Sequence, residues 1–153
     1  MSDNCGIPGY LLWRVANLWQ KKVRSVLAPF EITPVQYLLL AGLRDLQEET
    51  GEPVKQADLA RHCQSDPMMT SQVLRCLKKA ELIERKNHTA DGRAFAVTLS
   101  AAGTKLLARA EPKMAQTDSL FHDPLGPEKD TFGDALRLLS GVRPRRRVKA
   151  VSG

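Results

Sequence analysis

No apolar run in this chain is long enough to cross a bilayer, and Met1-Ser2-Asp3-Asn4 is not the charged-then-apolar opening of a signal peptide. A cytoplasmic location is therefore expected. Cysteine is sparse and odd in number. Cys5, Cys63 and Cys76 stand far apart without a CxxC, which argues against both a disulfide framework and a zinc ribbon. His62, His88 and His122 form no pair at ligand spacing on one element, with each other or with the cysteines, so no metal or other cofactor is expected. Catalytic patterns are missing too. The chain has no Gly-rich phosphate loop behind a strand, no Ser or Cys in a nucleophile turn and no paired carboxylates on a plausible floor, and an enzyme is not expected. No internal repeat is visible.

Acidic residues are missing locally rather than globally. The 153 residues, one domain's worth of chain, carry a formal net charge of +6. Five of the 23 cations, Arg143, Arg145, Arg146, Arg147 and Lys149, lie in a tail without an acid; setting them aside leaves 18 basic against 17 acidic residues. Global charge is thus poor support for a polyanionic partner. Local charge says more. Gln72 to Arg93 holds Arg75, Lys78, Lys79, Arg85, Lys86 and Arg93 against Glu81, Glu84 and Asp91, and the acid-free stretch from Asn4 to Phe30 holds Arg14, Lys21, Lys22 and Arg24.

Ser65 to Leu99 is the stretch the rest is arranged around. Asp66-Pro67 opens a helix, with Asp as N-cap and Pro in the first turn, where its missing N–H is not needed. Met69, Thr70, Val73, Leu74 and Leu77 recur at helical spacing as a buried stripe, leaving Met68, Ser71, Gln72, Arg75 and Lys79 on the other side. Leu82 to Lys86 reads as a strand and Asn87 to Gly92 as a polar turn. Arg93 to Leu99 follows as a second strand that alternates Phe95, Val97 and Leu99 against Ala94, Ala96 and Thr98. Upstream, Gln56 to Cys63 is a short helix with Leu59, Ala60 and Cys63 on one side, two residues before the Asp66 cap. That spacing fits a helix-turn-helix. A helical hairpin packed in a core is the commoner reading of two short helices. It loses ground because the open face of the second helix carries Ser, Gln and Arg, side chains able to bond base edges.

These stretches resemble the MarR (multiple antibiotic resistance regulator) family of winged-helix transcription factors. The resemblance rests on Asp58-Leu59-Ala60 with Asp66 to Arg75, on Leu77-Lys-Lys-Ala-Glu-Leu-Ile-Glu-Arg85, and on Asp91-Gly92-Arg93 ahead of Leu99-Ser100 and Gly103; it covers roughly residues 9 to 119. Two positions depart from the pattern. Glu81 stands where the family usually has Gly, so that turn is expected to be strained or differently shaped. Ser100 replaces Thr, a neutral exchange for a helix cap.

The resemblance implies a mainly α, α+β winged-helix fold, with a winged helix-turn-helix lobe at 33–99 and dimerisation helices at 10–30 and 101–142. It implies a homodimeric, sequence-specific double-stranded DNA-binding regulator, a repressor released from a roughly palindromic operator by a small aromatic or phenolic effector. Met68, Ser71, Gln72 and Arg75 are the expected base contacts, and Lys79 and Arg85 the backbone contacts. Lys86 and His88 lie near the wing tip, and Arg93, oriented by Asp91, is expected in the minor groove. Plain turn chemistry explains Asp91-Gly92 equally well. Trp13, Asn17 and Tyr37 are candidates for an effector crevice, although core packing suits Trp13 and Tyr37 better. Two alternatives stay open: a redox-sensing regulator using Cys5, ahead of the first helix, and a winged-helix protein-interaction module that has lost DNA binding. Cys63 and Cys76 are expected to be small buried hydrophobes.

The remaining chain is helical by pattern. Tyr10 to Leu27 places Leu12, Val15, Ala16, Trp19, Val23 and Val26 on one face, widened by Leu11 and Leu18, until Pro29. Thr33-Pro34-Val35-Gln36 is a capping box for a helix buried through Val35, Leu38, Leu39, Gly42, Leu43 and Leu46. Residues 48–53 form an acidic loop. After Ser100 a helix buries Leu106, Leu107, Ala110 and Met114, and Pro112 is expected to kink or interrupt it. A last helix carries Phe132, Ala135, Leu136 and Leu139. The basic tail, 143–153, has nothing to bury and is expected to be disordered, as a DNA-contacting arm or a solvated extension.

Overall fold

Thr33 and Pro34 start a helix in the way their spacing suggests. The Thr33 hydroxyl accepts from Gln36 N, and the Gln36 side chain accepts in return from Thr33 N. In the computed structural model, residues 4–51, 53–88 and 91–142 are described, without the side chains of residues 4, 87, 88 and 91–94. The basic tail 143–153 therefore lies outside the described residues.

The first unit, Met1–Ala115, contains most of the elements. Helix α1 spans Pro8–Leu27, a 3-10 turn covers Ala28–Phe30 at Pro29, and α2 spans Pro34–Thr50. The two-residue strand β1 (Val54–Lys55) leads into α3 (Gln56–His62), then come α4 (Pro67–Lys79), β2 (Ile83–His88), β3 (Asp91–Leu99) and α5 (Ala101–His122). The sheet has the order β1-β3-β2, antiparallel throughout, with Val54 opposite Val97 and Ile83 opposite Leu99. This is the winged-helix arrangement, mainly α with a small sheet. In the second unit, Gln116–Gly153, the end of α5 is followed by a 3-10 segment (Asp123–Glu128) and α6 (Lys129–Leu139). No single helix is long and apolar enough to cross a membrane among the described residues.

The core is aliphatic: Leu27, Leu39, Leu40, Leu43, Leu59, Leu74, Leu77, Val97 and Leu107 are fully shut off from solvent. Several expected faces turn out differently. Leu38 is 46% exposed while Leu40 is buried, and Met69 is exposed where Thr70 is not. Both misplaced residues, Leu38 and Met69, lie at the margin of their stripes, each one position, about 100°, from a fully buried neighbour, Leu39 and Thr70. In α1 only the later part packs inward, through Val23, Leu27 and the half-buried Trp19 and Val26; Leu12, Val15 and Leu18 are exposed. In β3 both Ala96 and Val97 are buried because β1 lies alongside, so the strict alternation fails there. Cys76 is exposed and Cys63 half-buried. Helix α5 runs through Pro112 without interruption: only one donor is lost, and buried Ala110 and Met114 hold the turns on either side.

Two helix ends in this unit share one backbone device. After α4, Glu81 adopts φ 58°, its N–H bonds to Lys78 O, and Leu82 N–H bonds to Leu77 O at 3.0 Å. After α3, Gln64 adopts φ 52°, with bonds from Gln64 N to Arg61 O and Ser65 N to Ala60 O. Both are Schellman closures with a non-glycine residue in the left-handed position, where a side chain costs about 1–2 kcal/mol. Just beyond, Ser100 N–H bonds to Leu82 O, the Ser100 hydroxyl donates to Glu81 O at 2.7 Å, and Ser100 Oγ in turn accepts from Gly103 N. Gly103 lies so close that a Cβ there would run into the Leu82 carbonyl oxygen. Helix α2 is tied in by Arg44, which pairs with Glu111 on α5, and by Gln47, whose Oε1 accepts from Leu99 N. Replacing Glu81 by Gly should raise stability by about 0.5–1 kcal/mol, because the relieved strain exceeds the extra entropy of the unfolded chain. Gly103→Ala should lower it by about 1–3 kcal/mol through overpacking. Urea unfolding of the two variants checks both signs.

Candidate nucleic-acid interface

Helix α4 contains no acidic residue and carries Arg75, Lys78 and Lys79. Its first turn is closed by the Asp66 carboxylate, which accepts from Met69 N at 2.9 Å. Thr70 is fully buried; its hydroxyl bonds to Asp66 O at 2.8 Å and shares a hydrogen bond with Ser65 Oγ. This places it on the core side, fixing the helix against the turn that precedes it. With Thr70, Leu74 and Leu77 inward, the outward face carries Met68 (76% exposed), Gln72, Arg75 and Lys79, with Ser71 half-buried at its flank. Arg75 Nη2 reaches Ser71 Oγ at 3.4 Å, so two of the expected base contacts are already neighbours. Cations in the last turn also suit the negative end of the helix dipole.

The structure adds three side chains to this face that the sequence reading left out: Met69, Cys76 and Lys78 are all exposed. Lys78 was visible as a charge on α4. Met69 and Cys76 were hidden by their apolar character, since a pattern of hydrophobic spacing assigns such residues inward.

The wing is β2 and β3, paired from Ile83–Leu99 to Asn87–Phe95, with a register shift between Asn87 and His88. Arg85 is half-buried and Lys86 exposed on β2. The backbones of His88, Asp91 and Arg93 lie in the two strands, but their side chains, and with them the expected minor-groove contact, lie outside the described residues. On α3, Arg61 is paired with Asp58 at 3.1 Å.

Neither Trp13 nor Tyr37 lines the cleft that borders Asn17. Trp13 is 70% exposed on α1, contrary to a core role, and Tyr37 is half-buried against the core on α2. Asn17 lines an open cleft of about 300 Å³ with Arg14, Leu18 and Lys21. Burial raises the Tyr37 hydroxyl's pKa. No group of three His, Cys, Asp or Glu side chains able to hold a metal occurs among the described residues.

Burial, helped by the charge of Asp45, pushes the Cys63 thiol up to about 11, and its Sγ lies 3.7 Å from Leu38 O. At neutral pH it is a thiol, not a thiolate, and so a poor nucleophile.

A sequence model of the MarR family matches residues 32–95. The chain is 37% identical over 132 residues to YdcH, an uncharacterized HTH-type transcriptional regulator of Bacillus subtilis (strain 168), covering 86% of this chain and 88% of that protein. A MarR family protein of Mycobacterium tuberculosis, solved in complex with salicylic acid, superposes with a TM-score of 0.67 at 29% identity, covering 91% of this chain and 99% of that one. A mutant MarR of E. coli, solved with operator DNA, shares the fold at a TM-score of 0.78 and 19% identity, covering 91% and 97% of the two chains.

Alkylation by iodoacetamide at pH 8 should modify exposed Cys76 well before Cys63, with the Cys63 rate climbing only toward pH 11. Stability carries the matching sign. Below about pH 9 the thiol is neutral folded and unfolded; between 9 and 11 only the unfolded chain ionises, and the fold loses stability. Mass mapping and unfolding midpoints measured across that range check the two effects.

Proposed function

Because the chain belongs to the MarR family of DNA-binding transcriptional regulators, we propose that it acts as a homodimeric repressor with one α4 in each of two successive major grooves. Its operator is a roughly palindromic duplex, with half-sites about one helical turn apart. The observation that carries this reading is the outward face of α4. Gln72 and Arg75 stand exposed on an acid-free helix whose buried side is pinned by Thr70.

In this reading Gln72 and Arg75 read base edges, as Gln does with adenine and Arg with guanine, and Met68 packs on a thymine methyl. Ser71 assists at the flank. Lys79, Arg85, Lys86 and His88 hold phosphates, and Asp91 and Arg93 serve the minor groove. The apolar side chains that α1 leaves bare, among them Leu12, Trp13 and Leu18, support a dimer formed through the helices at 10–30 and 101–142. Release by a small aromatic acid is supported by the mycobacterial relative held with salicylic acid. Such a molecule acts by preferring a spacing of the two α4 helices that the operator does not match.

Selection of bound duplexes from random DNA, repeated with salicylate, tests the proposal. A duplex that binds more weakly as salt rises, and is freed by the ligand, is the expected result. A chain indifferent to every duplex at low salt is instead a protein-interaction module. On the selected duplex, Arg75→Ala should cost about 1–3 kcal/mol and relax preference at one base pair. Lys79→Ala should weaken all sequences alike and reduce the salt slope by about 1.

A further inference from the structure

Phe95 is an aromatic residue in the central strand of the sheet, yet it is 57% exposed. The register explains why. Strand β1 covers β3 only at Ala96 and Val97, both fully buried, and Phe95 is the next residue toward the wing tip. It has no core to enter, so burial does not account for an aromatic side chain here. What the ring does have is Arg85. Arg85 faces Val97 across the ladder and Asn87 faces Phe95, which makes Arg85 and Phe95 diagonal neighbours on one face. The Arg85 guanidinium carbon lies over the Phe95 ring, 4.7 Å from its centroid.

We infer that Phe95 is a positioning residue for DNA binding: its ring holds the Arg85 guanidinium at the base of the wing, ready for a phosphate. A guanidinium is weakly hydrated on its flat faces and carries its five N–H donors at the rim, so an aromatic surface can fix it without using up a donor. Holding a flexible arginine before binding removes part of the ordering cost that a phosphate contact otherwise carries. The inference rests on the DNA-binding reading above and goes beyond it by giving a role to a residue that touches no base.

The test is a double-mutant cycle on the selected duplex at fixed salt, with thermal unfolding of every variant. Phe95→Leu should weaken binding about three- to tenfold per protomer, and Phe95→Tyr, which keeps the ring, should bind within about twofold of wild type. Arg85→Ala should weaken binding and lower the salt slope by about 0.9 per lost phosphate contact. In the Arg85→Ala background, Phe95→Leu should have no further effect. Wild-type affinity in Phe95→Leu, or an equal additional loss in the Arg85→Ala background, overturns the inference, the second because the ring then acts independently of Arg85. Should Phe95→Leu fail to fold, Arg85→Lys decides. Several-fold weakening with the salt slope kept supports positioning of a planar group, and unaltered binding overturns it. A wild-type chain that binds no duplex removes the functional reading and this inference with it, an outcome distinct from all the others.

Discussion

The main chain at Glu81-Leu82 is where three elements are fastened together, and the orientation of the whole interface depends on it. Leu82 N–H closes the end of α4 onto Leu77 O, while Leu82 O accepts from Ser100 N and Glu81 O from the Ser100 hydroxyl. The same hydroxyl oxygen starts α5 by accepting from Gly103 N. One dipeptide thus ends the recognition helix, begins the wing's first strand, and anchors the point where the wing's second strand becomes α5. The arrangement needs a left-handed residue at 81 and no side chain at 103. Glycine meets the second need; glutamate meets the first at a cost in strain.

The other end of α4 is fixed just as firmly by different chemistry. Buried Thr70 bonds back to Asp66 O, Asp66 caps Met69 N, and left-handed Gln64 sets the turn from α3. A helix held at both ends has little freedom to tilt, so its recognition options rest in its exposed side chains. Those are hydrogen-bonding or cationic with four exceptions, Pro67, Met68, Met69 and Cys76. The formal charge of the molecule says little about this. Excluding the tail it is nearly balanced, and the useful field comes from where cations stand without acids beside them.

Local chemistry was legible in the sequence and lateral placement was not. The capping box at Thr33, the Asp66 cap, the Ser100 cap and the strained turn at Glu81 each depend on a few adjacent residues, and the structure has all four. Met69 and Leu38 were misplaced because hydrophobic spacing fixes the middle of a helical face but not its edges. Strand β1 escaped notice because two residues carry no period, and their pairing with Ala96 and Val97 comes from more than forty positions away. The alternation Phe95, Val97, Leu99 is real, but only the part under neighbouring elements is buried. Gln64 gave no signal, since nothing in its chemistry asks for a left-handed backbone.

The fastening has a consequence for how the interface can move. Between α4 and β2 lie three residues, all engaged by backbone hydrogen bonds or buried contacts, and between β3 and α5 lies Ser100 alone. Two further ties, Arg44 with Glu111 and Gln47 with Leu99 N, join α2 to the first part of α5 and to the wing. With so little slack, rotating the start of α5 drags α4 and the wing along as one body instead of sliding them past each other. Helix α4 and the wing therefore keep a constant mutual geometry, as the proposed grip on one half-site requires. In the proposed homodimer, the variable left open is the distance between two such bodies. In the repressor proposed above, a switch would work by changing that distance, and the bare apolar face of α1 is the surface the fold leaves free to set it.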